Sequence, residues 1–111
     1  MSKQELILTI VNVGYADEVM DQARKCGVKG GTIIHGRGTA NKTSERFFDI
    51  EFSGEKEIVM MVVDSSIKDS VLKAIYDGIG LDSKGQGIAF SLPVDASIGL
   101  VGDKNEELTT K

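Results

Sequence analysis

Positive charge, cysteine, histidine and proline are all scarce in this sequence, and each scarcity excludes something. Lys and Arg number 13 against 17 Asp and Glu, a formal net charge of −4, so the chain as a whole repels nucleic acid. The longest uninterrupted apolar run, residues 58–63, falls far short of the roughly 20 residues that cross a bilayer. No direct membrane insertion is expected. The opening residues lack the apolar core and small-residue cleavage site of a secretion leader, which makes the cytoplasm the expected location. Cys26 is the single cysteine and has no internal disulfide partner, in keeping with a reducing compartment. It falls on the apolar stripe of a predicted helix and reads as a small buried hydrophobe rather than a reactive thiol. His35 is the single histidine; with one distant cysteine it makes no metal site. No serine has a base at recognisable spacing, so a nucleophilic triad is excluded and no enzyme is expected.

What is present is an ordinary globular chain. Its 111 residues, 41% hydrophobic and 27% charged, suffice for one domain, read as residues 1–101 with a polar tail over 102–111. Residues 5–13 read as a strand, and 17–26 as a helix with Val19, Met20, Ala23 and Cys26 on one stripe and Gly27 as its left-handed stop. Residues 32–35 form a short β-branched strand. From 36 to 54 periodicity disappears, although Phe48, Ile50 and Phe52 alternate as an extended limb would. Residues 57–63 are a continuous apolar strand. Ser66 and Asp69 have the spacing of a capping box opening a second helix. That helix buries Ile67, Val71, Leu72 and Ile75, and Gly78 and Gly80 end it. After a turn-rich stretch over 82–87 comes a strand at 88–94, placed at a sheet edge by the lone Pro93. Residues 98–101 extend the sheet.

The order β-α-β, β-α-β fits a ferredoxin-like α+β layout, one antiparallel sheet with both helices on one face. Two helices cover one face only. Yet the first strand is apolar on both sides, with Leu6, Leu8 and Ile10 on one and Ile7, Val11 and Val13 on the other. A sheet with one wet face should alternate. Further copies of the chain are the simplest cover, so an oligomer is expected.

Three segments carry a resemblance. Residues 30–39, Gly-Gly-Thr-Ile-Ile-His-Gly-Arg-Gly-Thr, resemble the strand entering the long T-loop of the PII signalling family. Residues 56–64 resemble the strand leaving it. Gly85-Gln86-Gly87-Ile88-Ala89-Phe90 resembles the family's B-loop, whose glycines let backbone N–H groups approach phosphate oxygens. The resemblance covers about residues 5–100. It implies a homotrimer with inward-packed sheets, adenine nucleotide in the intersubunit clefts, and a regulatory, non-enzymatic role in nitrogen or carbon metabolism. It further implies that a T-loop, here about residues 39–53, controls a partner, such as a membrane transporter or a nitrogen-metabolism enzyme.

Residue by residue, Thr32 and Val62 match positions facing adenine, Gly38 matches the T-loop hinge, and Gly85, Gln86 and Gly87 match the phosphate loop. Lys56 matches a lysine that helps hold 2-oxoglutarate in some members. The family's metal-coordinating glutamine is Lys42 here, so 2-oxoglutarate sensing is not implied. The lysine that usually follows the B-loop is Ile88, and the two phosphate-gripping arginines fall on the apolar stretch 98–101. Lys84, Arg37 and Lys42 are the substitute cations. Each charge-assisted contact contributes about 1.5–3 kcal/mol, so ADP or AMP is favoured over ATP. In the loop, Lys42 and Arg46 beside Phe47 and Phe48 suit partner docking; the two aromatics equally suit packing under the loop. The alternative function is an interaction module of this fold that has lost nucleotide binding.

Overall fold

The computed structural model describes residues 3–39, 54–80 and 87–99. In chain order these form β1 (Gln4–Asn12), α1 (Ala16–Lys25), β2 (Thr32–Gly38), β3 (Gly54–Asp64), a single 3-10 turn (Ser65–Ile67), α2 (Lys68–Ile79) and β4 (Ile88–Pro93). One sheet holds all four strands in the order β2-β3-β1-β4, every neighbouring pair antiparallel. This is the ferredoxin-like arrangement expected from the sequence, with β1 and β3 central and β4, which ends at Pro93, on an edge.

Alternation sorts the strand residues between two faces. Ile7, Thr9 and Val11 of β1 lie level with Met61, Val59 and Glu57 of β3, and this face carries the helices. Its core joins Ile7, Val11, Val59, Met61 and Val63 to Ala16, Val19, Met20 and Ala23 of α1 and Val71, Ile75 and Ile79 of α2. Val13 is not part of it: the strand ends at Asn12, and Val13 is half exposed beside the turn at Gly14. Thr9 completes the buried row, its Oγ1 without a hydrogen-bond partner among the described residues.

The helix ends follow from backbone donors and acceptors. Beyond α1, Gly27 has φ +104°; its N–H donates to the Arg24 carbonyl and that of Val28 donates to the Ala23 carbonyl. That pair of bonds is the Schellman stop, closed by the buried Val28 side chain. The entry to α2 differs from the capping-box expectation. Asp64 Oδ2 accepts from the Ser66 N–H at 2.9 Å and from the Ser66 hydroxyl, while Ile67, the residue before the helix, makes no side-chain cap. The short aspartate completes a turn of its own, so the helix starts one residue after Ile67. Gly78 lies inside α2, and only Gly80, at φ 72°, ends it. A β-carbon on Gly78 would meet the Gln22 side chain at 2.4 Å, so this glycine serves the α1–α2 approach.

The other face is uncovered among the described residues. The register aligns Ile34, Ile58, Ile10 and Ile88 in one row across all four strands, with Met60, Leu8 and Phe90 in the next and Val62, Leu6 and Leu92 beyond. Ile88 is 56% exposed, Leu92 45% and Ile34 43%. The apolar open face inferred from the two-sided strands is therefore real. Of the stretch 98–101, Ile98 makes an isolated bridge and Gly99 no strand; the remainder lies outside the described residues.

Candidate functional site

Thr32 begins β2 opposite Met60, which makes Val62 its diagonal neighbour on the open face. The two positions matched to an adenine contact are thus side by side, both exposed. Gly38 closes the same strand, paired with Gly54 where the chain leaves for residues 40–53. At a rise of about 3.3 Å per residue, six residues place Gly38 roughly 20 Å from Thr32. Arg37, paired with Glu55, falls by alternation on the helix-side face, opposite to Thr32 and Val62.

Gly87 stands immediately before β4, at the far edge of the sheet. A β-carbon there would lie 1.8 Å from the Ile10 carbonyl oxygen, so the bare backbone is required by close packing on β1. Two strands separate β4 from β2, which at about 4.8 Å per strand spacing keeps the two edges roughly 14 Å apart. One chain therefore does not bring Gly87 together with Thr32 or Gly38. Lys84, Gly85 and Gln86, with Lys42, Arg46, Phe47 and Phe48, lie outside the described residues. Ile88 projects onto the open face beside Ile10, an apolar side chain where the family carries a lysine.

Two charged groups gain importance that spacing alone does not reveal. Lys56 is only 6% exposed although it lies on the helix-free face, and its Nζ donates to Asn12 Oδ1 at 2.7 Å. Glu57, immediately before the apolar run in β3, turns toward the helices. Its Oε1 accepts from the Gly14 N–H at 3.0 Å and the Ala16 N–H at 3.1 Å, replacing the side-chain cap that Tyr15 does not supply to α1. Its Oε2 lies 3.9 Å from His35 Nε2 of β2. The signal for this is a carboxylate opening an apolar strand, in register with the lone histidine. Among the described residues no group of three or more His, Cys, Asp or Glu could hold a metal ion. Nor, among them, is any helix long and apolar enough to cross a membrane.

No protein-family model and no curated protein sequence matches the chain. Among solved structures, the crystal structure of Arabidopsis thaliana PII bound to citrate superposes with a TM-score of 0.70 at 26% identity. The match covers 98% of this chain and 94% of the plant chain. A likeness spanning both chains almost end to end, on the four-stranded sheet and two helices described above, shows that the chain has a PII-like fold.

Proposed function

We propose that the chain assembles as a homotrimer, binds an adenine nucleotide in the clefts between copies, and regulates a partner protein through residues 39–53. The observation that carries this reading is the separation of Gly87 from Thr32, Val62 and Gly38 by the width of the sheet. Residues that lie on opposite edges of one chain can line one pocket only if two copies meet edge to edge. The open apolar face, running through Ile10, Leu8, Phe90 and Ile58, is the surface such an assembly buries. The plant protein of this fold is bound to citrate, which supports a small anionic ligand as the class. No catalytic role is assigned, and the regulated partner is a transporter or an enzyme of nitrogen metabolism in the cytoplasm.

Ile88 sets the ligand preference. An isoleucine beside the phosphate loop offers nothing to a terminal phosphate, so ADP or AMP binds more tightly than ATP. Calorimetry with ATP, ADP, AMP and cyclic AMP, with and without magnesium, reads this directly. Tight magnesium-dependent ATP binding with 2-oxoglutarate cooperativity contradicts the preference. The exposed Ile88 also favours a second reading, an interaction module without nucleotide. Silence with all four nucleotides, with partner capture intact, selects that reading. Deleting residues 41–50 should leave the assembly and ligand affinity nearly intact while abolishing partner capture. Loss of the assembly would make the loop structural instead.

A further inference from the structure

Glu57 joins three elements that are distant in sequence. It is rooted in β3, its Oε1 holds the N–H groups of Gly14 and Ala16 at the start of α1, and its Oε2 faces His35 Nε2 of β2 at 3.9 Å. The carboxylate is mostly buried, 13% exposed, while the imidazole is 70% exposed and open to protons from solvent. Among the described residues β2 is an edge strand paired with β3 alone, and it leads through Gly36 and Gly38 into residues 39–53. What fastens β2 to β3 therefore sets how firmly the base of that connection is held.

We propose that His35 and Glu57 form a proton-sensitive latch that fastens β2 to β3 and to the start of α1. An imidazole changes charge in the range of roughly pH 5 to 8, where carboxylates and lysines do not. As imidazolium, His35 presents a positive charge and an N–H to the free oxygen of Glu57, and the cross-strand pair becomes one of opposite charge. Neutral, it presents at most a dipole, and the pair no longer adds opposite charge to the backbone pairing and side-chain contacts that hold the strand. Other charged groups lie on the elements packed around the pair. On the same face of the sheet lie Arg37, two residues along β2, and Glu55, its partner in register on β3. The first turn of α1 carries the exposed acids Asp17 and Glu18. The latch stands independently of any nucleotide site.

The single histidine makes the test specific, since the imidazole resonances have one source and His35→Gln separates its response from that of the chain's amino terminus. Amide hydrogen exchange of residues 33–37, corrected for the intrinsic pH dependence, would be followed from pH 8 to pH 5.5 in the full chain, alongside the imidazole resonances. For a pair with one exposed partner, protection should rise about two- to threefold as His35 takes its proton. His35→Gln keeps the Glu57 bonds to α1 and should remove the response; Glu57→Gln should remove it too. A flat profile in the natural sequence overturns the latch. So does a response that survives His35→Gln, or one that survives Glu57→Gln and shows His35 acting without its partner.

Discussion

At the scale of single residues, the sequence pattern identifies which positions are buried but not what each buried group does. Thr9 reads as one more β-branched strand residue. Only the three-strand register, with Val59 on one side and Ala89 on the other, shows its hydroxyl sealed without a partner. Valine has the same shape and no hydroxyl to desolvate, so Thr9→Val should stabilise the protein by about 1 kcal/mol. A urea titration at fixed chain concentration measures it, and a clear loss of stability would point to a hidden partner for Thr9. Gly87 teaches the converse. Its place in a Gly-x-Gly turn suggests phosphate contact, whereas the structure gives the glycine a packing reason in the Ile10 carbonyl. Because that obstacle is backbone, Gly87→Ala should cost roughly 2–4 kcal/mol even without ligand. If only ligand affinity fell, β4 would have to tolerate a shift away from β1.

Elements are legible where periodicity is strong. β1, α1 and β3 each begin and end within a few residues of expectation, because their apolar spacings answer to one buried face. The β-branched residues of β2 mark only 32–35, yet the strand runs on to Gly38. Its later pairing with Lys56, Glu55 and Gly54 is set by β3 rather than by its own polar and glycine residues. The start of α2 departs from the sequence reading for a local reason. Ser66 and Asp69 have capping-box spacing, yet Asp64 competes for the Ser66 N–H and wins by two-residue geometry. Asp64→Ala should therefore destabilise the protein by about 1 kcal/mol, the usual cost of a lost cap, while Asp69→Ala leaves stability unchanged. Thermal unfolding of the two variants side by side decides it, and the reverse ranking would restore the capping box. Glu57 is not legible as a tie between β2, β3 and α1, because nothing in a sequence places residue 57 against residues 14 and 16.

At the scale of the whole molecule, the central fact is a sheet that is apolar on both faces with helices, among the described residues, on only one. The residues of β1 and β3 imply as much by their pattern, and the register completes it with Ile88, Phe90 and Leu92 of β4 and Ile34 of β2. The candidate ligand residues are less legible as a site, because a pocket built from opposite edges of the sheet exists in no single chain. Both features are what the proposed trimer accounts for, further copies closing over the open face. Phe90→Asp places a carboxylate in the middle of that face without touching the helix-side core, and should convert an assembly to monomer while the fold persists. Light scattering coupled to size exclusion tests the requirement most directly. The natural chain should give about three times its 11.9 kDa mass, whereas a particle of one chain mass, with its open face in water, would contradict it.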